Sequence, residues 1–305
     1  MNTDATTFSD LFSAYGKAAK IERTATGLPA PSTVGINIGN AKTILERCHL
    51  KMDAPLSSLT RHILADYVVR QRESGRPTIS IKSEMDRLNA LFARWTGSHY
   101  EYLLPEWTGI AFRFPTPHVR ATPQHYTRPT RERLMAVKAW YAALWGDSAR
   151  EGIWLAATFM MEFAMRNGDI ERLTWDNLIE KDAHIFLCYT PHKTRFSSGR
   201  TVLWPIHDAI WRRLEAIRRK SRSRLILPGA DKHIARITRD MRKMGFQGSK
   251  GAYELRKICI DHIYQHYGAE MATSISGDNL RTILRYYADP TTLNVVGVRV
   301  FDLIR

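Results

Sequence analysis

The chain is short of several things, and each shortage closes off a class of function. It has three cysteines, Cys48, Cys188 and Cys259. They are odd in number, far apart and without metal-ligand spacing, so a disulfide framework is excluded and a reducing cytoplasm fits best. No apolar run is long enough to span a bilayer. The first thirteen residues are polar and acidic, without the basic start and apolar centre of a secretory signal. There is no internal repeat, no low-complexity tract and no clustered acidic triad to hold a metal. Acidic residues are themselves scarce: 30 Asp and Glu face 45 Lys and Arg, giving a formal net charge of +15. An excess of that size calls for a polyanionic partner.

The excess is unevenly placed. Residues 1–112 carry 13 Lys and Arg against 11 Asp and Glu, whereas residues 113–305 carry 32 against 19. Clusters such as Arg212-Arg213, the run from Arg218 to Arg224, and residues 239–243 concentrate it further. A strongly apolar helix face beside them, which a membrane-surface protein would need, is missing. The partner is therefore read as nucleic acid, and the reading belongs mainly to the C-terminal part.

With 44% hydrophobic residues the chain can bury a sizeable core, and it divides near residue 113. Before that point the periodicity is helical. Ile63, Leu64, Tyr67 and Val68 follow the capping hydroxyls of Ser57, Ser58 and Thr60, and the stretch from Glu73 to Pro77 reads as a stop. Met85, Leu88, Leu91, Phe92 and Trp95 form a second stripe, and residues 40–50 a further helix. A bundle of three to five helices is expected, with nothing catalytic in it. Residues 113–129 hold four prolines, positive charge and no carboxylate, which reads as an extended basic linker.

The second domain, 130–305, opens with a helix over 130–145. An almost wholly apolar helix over 154–165 is expected to end at Arg166, followed by a short helix over 169–173. Two β-like segments, 184–189 and 200–205, flank a long basic turn containing Lys193. Helices are expected over 208–220, 232–244, 251–266 and 279–286. The fold class is mainly α with a small β-sheet.

Within this half lie Arg166, Lys193, Arg256 and the pair Tyr286-Tyr287. Two arginines can grip phosphate oxygens, a lysine can donate a proton and a tyrosine can attack phosphorus. Each also has a plainer role. Arg166 could cap the helix before it, Lys193 could be an exposed turn lysine, Arg256 could pair with Glu254 or Asp261, and Tyr253 could be a packing residue. The order of the whole set argues against all four at once.

Residues 163–178, with the turn Arg166-Asn167-Gly168-Asp169 and the segment Leu173-Thr174-Trp175-Asp176, resemble the first arginine box of the tyrosine recombinase (phage integrase) family. Lys193 is similar to that family's β-hairpin lysine, Tyr253-Glu254-Leu255-Arg256 to its His-x-x-Arg box, and residues 282–289 to its tyrosine box. The N-terminal helices resemble its core-binding domain, so the similarity covers nearly the whole chain. It implies a helical core-binding domain followed by an α+β catalytic domain, acting on double-stranded DNA without cofactor, metal or ATP. Counting from Gly277 places the nucleophile at Tyr287, and counting from an upstream threonine places it at Tyr286; Tyr287 is preferred. Arg166 and Arg256 would hold the non-bridging oxygens, and Lys193 would protonate the leaving 5′-oxygen.

Two residues depart from the pattern. Tyr253 stands where the family has histidine, and Asp278, an anion, stands where it has histidine or tryptophan. A carboxylate beside a phosphate costs binding unless it is turned away or paired with an arginine, so slower or partner-dependent cleavage is expected. The apolar tail 290–305 resembles the piece that docks on a neighbouring protomer, which implies a dimer-to-tetramer assembly on DNA, with DNA-bending accessory proteins as possible partners. The resemblance further implies a cytoplasmic protein of a phage or other mobile element. Two other functions fit the same residues: a recombinase-derived DNA-binding protein that has lost cleavage, and a type IB topoisomerase-like enzyme.

Overall fold

The N-terminal helices form where the apolar stripes lie. In the computed structural model, which describes residues 5–26, 29–93, 114–120, 126–195, 199–247 and 250–287, they are α1 (Phe8–Thr26), α2 (Pro31–Arg47), α3 (Arg61–Glu73) and α4 (Thr78–Ala93). The Thr60 side chain caps α3 by accepting from the Ile63 amide. Helix α2 begins nine residues before the expected start at Asn40. Pro31 sits in its first turn, where a missing N–H costs nothing. The polar, glycine-containing stretch that follows obscures the periodicity. Phe8, Leu11, Tyr15, Ile44, Leu64, Tyr67, Met85 and Leu88 meet in one core. Trp95 lies outside the described residues.

Two polar groups are drawn into that core, and both are satisfied. The Asn37 amide donates to the Tyr15 hydroxyl at 2.9 Å. Glu84, 5% exposed, accepts from the Tyr67 hydroxyl at 2.8 Å and pairs with Arg76. Burial, reinforced by the Glu84 carboxylate, pushes the Tyr67 phenol up to about 12, so it stays a donor at any ordinary pH.

The chain separates into two units, Met1–Pro123 and Gln124–Arg305. The second is built around α6 (Glu151–Met161), whose residues Ile153 to Met160 are all buried. Around it lie α5 (Arg131–Trp145), α8 (Asp208–Lys220), α9 (Ala230–Lys243) and α10 (Tyr253–Ser276). Their core includes Trp154, Phe159, Leu187, Leu214, Ile237 and Leu255. A three-stranded antiparallel sheet, in the order β1 (Leu178–Lys181), β2 (His184–Tyr189), β3 (Val202–Pro205), covers one side. Leu187 stands opposite both Leu178 and Trp204. Strand β1 had no clear signal of its own, since alternation over four residues with three exposed is too short to read.

The central helix does not run on to Arg166, as its apolar composition suggested. It ends at Met161, and Ala164 adopts a left-handed φ of 48°. The Met165 amide donates back to the Phe159 carbonyl at 2.9 Å. The apolar run continues because Phe163, Ala164 and Met165 are buried as a turn rather than as helix. A one-turn helix α7 (Asn167–Ile170) then begins, with Arg166 as its extended N-cap residue. Helix α10 runs ten residues past the expected end at His266, broken at Gly268 (φ 82°). The last described helix, α11 (Leu280–Tyr286), is capped by the Asn279 side chain, which accepts from the Thr282 amide at 2.8 Å. The tail 290–305 lies outside the described residues. No helix among the described residues is long and apolar enough to cross a membrane.

Candidate active site

The turn after α6 sets the first arginine. Phe163 and Met165 are buried, which anchors the backbone on either side of the left-handed Ala164. The Arg166 side chain, 11% exposed, reaches Asp278 through Nη2 and lies 3.9 Å from Asp169 through Nη1. Asp169 in turn accepts from the His192 amide at 2.8 Å. One carboxylate therefore ties the first arginine to the turn that carries Lys193.

The second arginine lies in the first turn of α10 and has no exposed surface at all. Its Nη2 donates to Asp278 Oδ2 at 2.6 Å and to the Ser276 carbonyl at 3.2 Å. Its Nε donates to the Tyr287 hydroxyl at 3.5 Å. Burial by itself would lower the pKa of this guanidinium. Tyr287, Tyr253 and Asp278 more than offset that and hold it above the ordinary arginine value. The alternative pairings are taken by others: Glu254 bonds Lys257 at 2.8 Å, and Asp261 bonds Arg128 at 2.7 Å.

Asp278 is the carboxylate both arginines share, and the backbone explains how it gets there. Gly277 ends α10 with φ 65°, a conformation that side chains rarely adopt. A Cβ on it would lie 3.0 Å from Pro191 Cγ and 3.3 Å from Val202 Cγ2. Only glycine lets the end of α10 close against both flanks of the Lys193 turn. The Asp278 amide then donates to Ser276 Oγ at 3.1 Å, and the side chain, 9% exposed, points between the two guanidinium groups.

The two candidate tyrosines occupy opposite environments: Tyr286 is the last residue of α11 and Tyr287, its C-cap residue, leaves the helix with φ −132°. Tyr287 is 4% exposed, and its hydroxyl shares a hydrogen bond with that of Tyr253. The Arg256 guanidinium carbon lies 5.4 Å from the Tyr287 ring centroid. Burial raises the Tyr287 pKa, Arg256 pulls it down, and Tyr253 and Asp278 push it up again, leaving it well above the usual phenol value. Tyr286 is 48% exposed. It lines an open pocket of about 390 Å³ together with Arg166, Lys193, Arg200, Asp278 and Asn279.

Arg166, Arg256, Asp278, Tyr253 and Tyr287 thus form one connected set, and Lys193, exposed on its turn, joins Arg166 and Asp278 at the pocket. Nη1 of Arg166 and Nη1 of Arg256 are buried without a hydrogen-bond partner. Buried charged donors in that state have the chemistry to take further oxygens of an anion. Sequence reasoning missed Asp169 and Ser276. Asp169 was within reach, being the acidic member of the Arg-x-Gly-acidic turn; Ser276 carried no signal.

The basic clusters divide once their neighbours are seen. Arg213 is half-buried and packs on the core. Its guanidinium lies 3.9 Å from the Trp154 ring centroid and donates to the carbonyls of Leu144 and Trp145 at the end of α5. Arg224 pairs with Asp176, and Arg219 with Glu215. Not every arginine in those clusters is free for a polyanion.

No protein-family model matches the sequence, and no curated protein matches it either. Solved structures do match. A lambda integrase tetramer bound to a Holliday junction is 17% identical, with a TM-score of 0.60 over 88% of this chain and 74% of that one. A lambda integrase fragment bound to DNA is 16% identical, with a TM-score of 0.61 over 98% and 99%. The Tn1549 transposon integrase with transposon right end DNA is 13% identical, with a TM-score of 0.62 over 93% and 95%. The fold of this chain is that of these integrases, which are tyrosine recombinases.

Proposed function

We propose that this chain, on the tyrosine recombinase fold, is a site-specific recombinase that cleaves and rejoins double-stranded DNA through a 3′-phosphotyrosyl link. The observation that carries the reading is the convergence of Arg166 and Arg256, from separate elements, on the one carboxylate of Asp278, with Arg256 also donating to the Tyr287 hydroxyl. The integrases sharing the fold are themselves bound to DNA, one as a tetramer and one as a dimer, which supports DNA as substrate and assembly on it.

The chemistry follows from the side chains. The Tyr287 hydroxyl gives up its proton to water, its oxygen attacks phosphorus in line, a P–O bond forms and the bond to the 5′-oxygen breaks. Arg166 and Arg256 hold the non-bridging oxygens and offset the charge that builds in the transition state. Lys193 protonates the departing 5′-oxygen. Tyr253, hydrogen-bonded to the attacking hydroxyl, orients it. The bond energy stays in the phosphotyrosine, and a 5′-hydroxyl of another strand reverses the step. Residues 1–112 serve as the core-binding domain, 113–129 as a basic connection whose Phe114 and Val119 are packed in the first unit's core and whose Arg128 pairs with Asp261, and the tail 290–305 as the piece that docks on a neighbouring protomer.

The test is covalent capture. A pool of nicked duplexes is incubated with the protein, and complexes that survive denaturing detergent are collected. Tyr287→Phe should abolish capture and Tyr286→Phe should retain it; the reverse result moves the nucleophile to Tyr286. No capture at all favours the second reading, a DNA-binding protein without cleavage, which the anion already lodged on both arginines makes specific. Exchange between two captured sites, rather than relaxation of any supercoiled plasmid, sets the protein apart from a topoisomerase-like enzyme.

A further inference from the structure

Asp278 lies where an anionic ligand of the two arginines would lie. One oxygen meets Arg166 Nη2 and the other meets Arg256 Nη2. A carboxylate offers two oxygens separated by one atom, as a phosphodiester offers its two non-bridging oxygens. The two arginines come from segments ninety residues apart in sequence, and Asp278 is the group that bridges them. Asp169 serves Arg166 alone, from 3.9 Å.

We infer that Asp278 is a built-in competitor for the phosphate: it occupies the arginine pair in the free chain, keeps the two guanidinium groups aligned, and is displaced when an anion binds. The inference rests on the reading that these arginines hold a DNA phosphate. Three features support displacement. Asp278 sits on the short connection between α10 and α11, not within either helix. It borders the 390 Å³ pocket, which gives the carboxylate somewhere to swing and the phosphate a way in. Each arginine also keeps a buried Nη1 without a hydrogen-bond partner, so one carboxylate does not exhaust the donors of the site. A group with more acceptor oxygens satisfies them better. Asp278 is accordingly a positioning residue that acts through the arginines, and it sets a threshold that only a well-placed phosphate passes.

The experiment uses the full chain and inorganic phosphate as probe, with chloride at matched ionic strength as control, and reads thermal stabilisation as a binding isotherm. Asp278→Asn keeps the shape and removes the charge. It should bind phosphate at least tenfold more tightly than the wild type, and Arg166→Gln added to it should erase the gain. Asp278→His is measured in the same way, so the comparison survives a folding failure of the asparagine variant. Equal phosphate affinity in wild type and variants, or no saturable response in any of them, overturns the inference. Phosphate binding needs no cleavage, so the two readings fail separately. Absence of covalent DNA capture sinks the recombinase reading, and equal phosphate affinities sink the competitor.

Discussion

Each of the two units buries a carboxylate, and they do so in contrasting ways. Glu84, in the helical unit, has one cation and one phenol as partners, Arg76 from the turn before its own helix and Tyr67 from α3, and its network leaves no charged donor unsatisfied. Asp278, in the second unit, is shared by two arginines, each of which keeps a buried N–H without a hydrogen-bond partner. The first arrangement is closed and serves structure. The second is incomplete in its hydrogen bonding, as the proposed phosphate site requires. Burial of charge is therefore a weak sign of function by itself, and unfinished hydrogen bonding around it is the stronger one.

The largest test of that contrast is Arg256→Gln. It removes a fully buried cation, leaves Asp278 with one partner, and should cost about 3–5 kcal/mol in the second unit. Hydrogen exchange should speed up through α10 and residues 276–287 and stay unchanged in α1 to α4, and phosphate binding should vanish. Glu84→Gln is the mirror experiment. It should cost about 1–3 kcal/mol, read as faster exchange in α3 and α4. Phosphate affinity should stay at the wild-type value; a change would mean the two networks are not independent.

A smaller effect is expected from Tyr253→Phe. Loss of one hydroxyl should cost roughly 0.5–1.5 kcal/mol. Because Tyr253 is among the groups raising the Tyr287 pKa, its removal should lower that pKa. The pH profile of covalent capture should then shift to lower pH, and an unchanged profile would limit Tyr253 to packing. The smallest effect concerns His262, which faces His266, Asp261 and Arg128. Burial first, and then His266, depress its pKa below the ordinary 6.5. A histidine held neutral in the fold contributes stability above that value and loses it as pH falls. His262→Gln should flatten the acid limb of the stability curve below about pH 6.5.

Much of the site could be read from residue types in order. Arg166, Lys193, Arg256 and the Tyr286-Tyr287 pair stand out because few chemistries need two arginines, a lysine and a tyrosine together. Helix α8 and strand β2 were also legible to the residue, since their periodicity is sharp and each end carries a stop. The end of α6 was not. Phe163, Ala164 and Met165 are as apolar as the helix before them, and composition cannot tell a buried turn from a buried helix. Asp169 was legible as part of a turn but not as the link to the Lys193 loop, because that link joins its carboxylate to a backbone amide, which every residue has.

Sequence alone determined the excess of positive charge and its place in the chain, the two-part organisation, the helical stripes and the inventory of polar groups. These depend on charge and on spacing along one chain. Tertiary structure decided which groups meet. That Asp278 lies between two arginines, that Tyr287 is buried while Tyr286 is exposed, and that Arg213 packs on Trp154 all depend on approach between distant segments. The left-handed turns at Ala164 and Gly277 aim those segments, and they write almost nothing into the local sequence pattern.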